Sequence, residues 1–105
     1  MSQWAEINFA HSRNVDFRQE VVWEGVDLSG STFVMDIKTE AGAGAPALSA
    51  TIDDTDAASG TLVIVWPDNA LPTGSYVYDL VRIDSGERSL LALGTIVIFE
   101  GVTQP

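Results

Sequence analysis

Hydrophobic and polar residues alternate along most of this chain. From Val15 to Glu24, the residues Val15, Phe17, Val21 and Trp23 share one parity, with Gln19 among them; Asp16, Arg18, Glu20 and Glu24 share the other, interrupted by Val22. Successive side chains of a strand point to opposite faces, so this spacing predicts a half-buried strand with one wet face. Asp27, Ser29, Gly30 and Ser31 then signal a turn. Alternation resumes with Phe33, Met35 and Ile37 on one side and Thr32, Val34, Asp36 and Lys38 on the other. "AGAGAPA" (Ala41 to Ala47) is poor in ladder-forming residues and reads as an exposed hairpin tip. "ALSATI" is a short strand, "DDTDAASG" a turn-rich connector, and the β-branched "TLVIVW" (Thr61 to Trp66) a strong strand. "PDNALPTG" is a loop with room for one helical turn, and "GVTQP" is a polar tail.

The last two strands break the one-face rule. In the first, Tyr76, Tyr78 and Leu80 share one face, and Val77, Val81 and Ile83 share the other. In the second, Leu91, Leu93, Val97 and Phe99 oppose Leu90, Ala92, Ile96 and Ile98. Asp84-Ser85-Gly86-Glu87 supplies the hairpin turn between them. A hairpin on a sheet surface needs only one apolar face. The second face therefore calls for a cover, supplied by this chain or by another.

Six to seven strands with short connections and no helical period predict an antiparallel sandwich or barrel. At 105 residues the chain is one domain's worth, and 46% hydrophobic residues suffice for one core. Fifteen acids against five cations give a formal charge of −10, which argues against nucleic acid and anionic membranes and favours basic partners. With no cysteine, disulfides and zinc–thiolate sites are excluded. The apolar runs are strand-sized, and "MSQWAEINFAHSR" lacks the basic and apolar blocks of a secretory signal.

The candidate chemistry is thin. His11 is the one histidine; alone it builds neither a zinc site nor a catalytic triad, and it reads as a loop residue. In "DDTDAASG", counting from Asp54, Gly60 falls at the seventh position and Val65 at the twelfth, which fails the calcium-loop pattern. The acids there read instead as acceptors for local backbone N–H groups. "GAGAPA" lacks the lysine and helix of a phosphate loop. No residue stands out for catalysis or for holding a cofactor, so the expectation is a non-enzymatic protein without cofactor or metal.

Trp4, Ile7 and Phe9 precede the first clear strand at irregular spacing. This segment, residues 1–12, reads as an arm. It either packs back on its own domain, docks on another chain by adding a strand to an exposed edge, or is disordered when free. Trp23 and Trp66 lie in phase with apolar neighbours and are expected in the core.

Taken together, "RNVDFRQEVVWEGVDLSGSTFVMDIKTEAG", "SGTLVIVW", "LPTGSYVYDLVRID" and "GTIVIFEGVT" resemble small immunoglobulin-like domains of bacteriophage tail and baseplate proteins, such as the N-terminal domain of the baseplate upper protein family. The residues that carry the likeness are the Phe17 to Trp23 strand, Asp27-Leu28-Ser29-Gly30, and the element Gly74, Tyr76, Tyr78, Asp79, Leu80. Asn14-Val15-Asp16 departs from the family's glycine-containing opening. The resemblance implies an antiparallel immunoglobulin-like β-sandwich over residues 13–103, followed by a tail at 104–105. It implies a virion structural protein of the tail, baseplate or fibre-attachment region, assembled in the host cytoplasm and joined to other virion proteins as a homo-oligomer. Trp4, Ile7, Phe9, Tyr76 and Tyr78 are its candidate subunit-interaction residues. The alternatives are a capsid decoration protein, separable by copy number, and a carbohydrate-binding module, which would show exposed Trp or Tyr.

Overall fold

The computed structural model describes residues 5–40 and 46–100 of the chain. They form β1 (Ala5–Glu6), β2 (Phe9–Ser12), β3 (Phe17–Val22), β4 (Thr32–Lys38), β5 (Leu48–Asp53), β6 (Thr61–Trp66), β7 (Gly74–Asp84) and β8 (Glu87–Phe99). One short 3-10 turn, Ala57–Ser59, falls within "DDTDAASG" rather than in the proline loop where a helical turn had room. The hairpin tip expected at Ala41 to Ala47 lies mostly outside the described residues, as do Trp4 and the "GVTQP" tail.

The fold is all-β. Its strands make one eight-stranded sheet in the order β1-β8-β7-β4-β5-β6-β3, with β2 beside β8 on the same edge as β1. The sheet is mixed: β1 and β2 run parallel to β8, and every other pairing is antiparallel. The expected all-antiparallel arrangement fails at this edge for a topological reason. A parallel neighbour needs a crossover connection. Here the chain leaves β2, crosses to β3 at the far edge of the sheet, and returns to β8 only after four further strands.

The sheet curls because β5 divides its pairing. Leu48, Ser49 and Ala50 pair with β4, whereas Thr51, Ile52 and Asp53 pair with β6. This hand-over folds β6 and β3 over the remaining strands and encloses the core. The two free edges, β2 and β3, then approach each other through aromatic contacts. Phe9 meets Phe17 edge-on at 5.4 Å, Phe17 stacks on Trp66 at 3.8 Å, and His11 stands edge-on to Phe17 at 5.0 Å. His11 thus sits on β2 rather than in a loop, where its Nε2 lies 2.7 Å from the Val15 carbonyl oxygen.

Both Trp23 and Trp66 are core residues, along with Leu28, Met35, Ile37, Leu62, Ile64, Leu80, Ile96 and Ile98. The connectors follow their local chemistry. Asp53 accepts hydrogen bonds from the Thr55 hydroxyl (2.6 Å) and backbone N–H (3.0 Å), and Asp27 does the same for Ser29 (2.6 and 2.9 Å). Those bonds hold both carboxyls below the usual aspartate range. Ser85 and Gly86, with φ of 54° and 84°, form a two-residue turn whose twist suits a hairpin.

Candidate interaction face

The strands β7 and β8 are apolar on both faces because only one face is the core. Inward, Tyr76, Tyr78 and Leu80 of β7 and Ala92, Ile96 and Ile98 of β8 are all buried. Their partners by register are consistent: Tyr76 opposes Ile96, and Leu80 opposes Ala92. Outward, Val77 opposes Thr95 and Asp79 opposes Leu93.

The strict alternation read from the sequence fails at Leu91. Leu80 pairs with Ala92 and Val81 pairs with Leu90, so Leu91 is an extra residue in β8. Such a bulge resets the parity of the strand. Leu91 and Ala92 are both buried, and Leu90 moves to the outer face beside Val81. A bulge leaves no mark in hydrophobic periodicity when the extra residue and both its neighbours, here Leu90 and Ala92, are apolar.

The outer face of β4, β7 and β8 consequently carries its own apolar strip. Val34 pairs with Val81, Val81 with Leu90, and the strip continues through Leu93 and Val77 to Val97 and Phe99. Val34, Val97 and Phe99 are 37%, 44% and 48% exposed. Part of this face is a groove of about 610 Å³ that includes Val77, Val81, Leu93 and Thr95. A row of acids crosses its floor. Asp36 on β4 lies directly opposite Asp79 on β7, Asp79 opposite Leu93 on β8, and Leu93 beside Glu6 on β1. Lys38 and Arg88 stand in the same groove, so its formal charges are three negative and two positive. Asp36 accepts a hydrogen bond from the Ser49 hydroxyl at 2.7 Å.

The described residues of the arm, from Ala5 onward, do not cover this face. The arm extends the sheet sideways along β8, with Glu6 beside Leu93 and Phe9 beside Ile96. Between β1 and β2 it breaks at Ile7 and Asn8, directly against Gly94. The Ile7 N–H donates to Leu93 O (3.0 Å), the Thr95 N–H donates to the Asn8 side-chain oxygen (2.9 Å), and the Tyr78 hydroxyl donates to Ile7 O (2.6 Å). A Cβ at position 94 would overlap the Ile7 carbonyl, so this crossing requires glycine.

Of the expected interaction residues, Trp4 lies outside the described residues. Ile7 and Phe9 are half-buried and pack on the core, while Tyr76 and Tyr78 are buried within it. Tyr76 donates its hydroxyl to Pro72 O at 2.6 Å, and Phe9 meets Tyr78 at 5.6 Å. Burial pushes the Tyr78 hydroxyl up to about 12, and Tyr76 in the same direction, so both remain donors throughout the neutral range. These four side chains are engaged inside the chain, and what they leave available is the outer face behind them. The apolar half of that face was legible from β7 and β8. Its acid row was not, because Glu6, Asp36 and Asp79 meet only through strand register.

Among the described residues no group of three or more His, Cys, Asp or Glu is placed to hold a metal ion, and no Trp or Tyr is exposed. No protein-family model matches the chain, nor does any curated protein. Among solved structures, it is similar to part of the endo-fucoidan hydrolase MfFcnA9 from glycoside hydrolase family 107, at 21% identity and a TM-score of 0.52; the match covers 91% of this chain and 16% of the hydrolase. A 2,6-sialyltransferase of Vibrionaceae Photobacterium sp. JT-ISH-224 matches at 16% identity and a TM-score of 0.37, over 94% of this chain and 18% of that one. The first likeness concerns fold alone, and the second carries no argument.

Proposed function

We propose that this chain is a non-enzymatic assembly module, an immunoglobulin-like sandwich that joins other protein subunits through the outer face of β4, β7 and β8. The observation that carries the reading is that face: an apolar strip with Val97 and Phe99 about half exposed, left open among the described residues, whose arm strands β1 and β2 pair at the sheet edge instead. Contiguous exposed apolar surface marks interaction sites, whereas scattered residues such as Val15 and Val22 need no explanation.

The immunoglobulin-like assignment draws support from connectivity. The pairings β3 with β6, β4 with β7 and β7 with β8 are those expected of that sandwich, with β5 passing from one layer to the other. So is a tyrosine at the start of the penultimate strand that bonds its hydroxyl back to the chain four residues upstream, as Tyr76 does to Pro72. The sequence resemblance to phage tail and baseplate domains supports a role in a virion, among tail, baseplate or fibre subunits, and the formal charge of −10 supports partners other than nucleic acid or anionic membrane. Repetition of one weak contact in a symmetric particle would multiply its strength. A capsid decoration role differs from this in copy number. A carbohydrate-binding role would call for exposed Trp or Tyr.

The test is co-expression with the proteins encoded beside it, followed by isolation of complexes. A complex is expected that is lost on Val77→Glu or Val97→Glu and retained on Val22→Glu, all three variants being folded by circular dichroism. No complex, or one indifferent to the outer-face changes, overturns the reading. Hundreds of copies per purified particle would favour decoration of the shell, and a dozen or fewer the tail.

A further inference from the structure

Resting on that reading, we infer that the groove on the outer face takes a cationic, apolar protein segment: an Arg or Lys flanked by aliphatic side chains, laid along the strand direction over the outer face of β4, β7 and β8. The inference comes from how charge is arranged on the floor. Asp36 and Asp79 are direct cross-strand neighbours, and like charges in that relation disfavour the sheet. Glu6 continues the row two strands beyond Asp79, at strand spacings of about 4.8 Å. Nothing in the core requires this. The inward residues of the same strands, Met35, Ile37, Tyr78 and Leu80, are set by packing, while positions 36 and 79 face outward.

A cation laid over Asp36 and Asp79 would answer both carboxylates together, and a planar guanidinium would meet them in fork geometry. To one side along the strands lies the apolar row Val34, Val81 and Leu90; to the other lies Val77, set between Lys38 and Thr95. The segment that complements this is charged at one position and aliphatic two residues away, which is what an extended strand presents on one face. Arg88 and Lys38 lie toward the two ends of the groove and disfavour a second cation there, which limits the charge to one central position. The chain's formal charge of −10 acts in the same direction over longer range, drawing basic partners and opposing a second copy of itself.

The experiment is a selection of displayed random linear peptides on the immobilised full chain. The enriched sequences are then made synthetically and titrated into isotope-labelled protein, with amide shifts read by NMR. Enrichment of Arg or Lys between Val, Ile or Leu is expected, with shifts centred on residues 34–38, 77–81 and 90–95. Combining Asp36→Asn with Asp79→Asn should weaken those peptides about tenfold, as the loss of two charge-assisted contacts at a partly exposed site. The variant's thermal melt should match or exceed that of the parent. Neutral or acidic peptides bound as tightly on this same face would overturn the cationic chemistry and leave the docking reading standing. Peptides that map elsewhere, or none enriched at all, would overturn both. Shifts of these same residues on raising protein concentration alone would name a second copy as the occupant and overturn the inference.

Discussion

Replacing Gly94 with alanine attacks the join between arm and sheet. The added Cβ would overlap the Ile7 carbonyl oxygen and come within 2.8 Å of the Asn8 side-chain oxygen. Both atoms belong to the arm, and the neighbouring backbone of β8 is held by its ladder to β7, so it is the arm that must move. Beside a solvent-exposed contact from the Thr95 hydroxyl to the Asn8 side-chain oxygen at 3.1 Å, three hydrogen bonds involving backbone groups fix it at this point: Ile7 to Leu93, Thr95 N–H to Asn8, and Tyr78 to Ile7. At a net value of about 1 kcal/mol each, their loss costs about 3 kcal/mol. The lower backbone entropy of alanine in the unfolded chain returns about 0.5 kcal/mol. The remaining 2–3 kcal/mol corresponds to a fall in Tm on the order of 10–20 °C for a domain of this size. Calorimetry measures the fall, and hydrogen exchange locates it, since protection should drop at residues 5–12 before it drops in β6 or β7. Tyr78→Phe, which removes only one of the three bonds, should cost about a third as much. If Gly94→Ala melts within about 2 °C of the parent and the arm stays protected, the close approach of Ile7 to Gly94 is wrong, and with it the account of how the arm is held.

Three further outcomes follow from the packing and charges. The Tyr78 hydroxyl titrates near 12 in the folded chain and near 10 when exposed, so its contribution is complete below pH 10 and is lost as pH rises through 12; urea unfolding at pH 9 and pH 11.5 should differ by roughly 2 kcal/mol, less in Tyr78→Phe. Asp79→Asn removes one of two directly opposed carboxylates and should raise stability by about 0.2–1 kcal/mol, an effect that fades as salt is added, which thermal melts at 20 mM and 500 mM salt would show. Phe17→Ala removes the ring stacked on Trp66 and edge-on to Phe9 and should cost about 3–5 kcal/mol, with a change in tryptophan fluorescence that marks the opening of the contact between the β2 and β3 edges.

The parts of the fold that period two could reveal were legible in the sequence. Thr61 to Trp66 reads as a strand and is one, with the same bounds, because every second residue there meets the core. The turn at Ser85 and Gly86 reads as a hairpin because its residues tolerate positive φ. What pairs with what is a different kind of information. Nothing in "ALSATI" says that its first half belongs to β4 and its second half to β6, since the residues look alike on either side of the hand-over. The arm's partner was hidden for the same reason: parallel pairing with β8 joins residues almost ninety positions apart, as at Phe9 and Ile96. The candidate face divides along this line. Its valines and leucines were visible as a second apolar parity in β7 and β8, but whether anything covered them, and which acids stood among them, depended on register.

The parallel pairing at the sheet edge also decides how the domain would bear mechanical load. Phe9 lies beside Ile96 and Ser12 beside Phe99, so the start of β2 and the end of β8 are at opposite ends of one ribbon. Tension applied between those two points slides the strands past each other along their length. All the hydrogen bonds between them are then strained together, and the Arg13–Glu100 ion pair at 3.0 Å with them. An antiparallel terminal pair pulled from adjacent ends would instead open one bond at a time. Resistance to pulling is governed by the rate of unfolding rather than by equilibrium stability, so an arm of modest thermodynamic weight can act as a shear clamp. In an assembly that transmits force through its subunits, the few residues from Phe9 to Ser12 would set how hard this domain can be pulled before it opens.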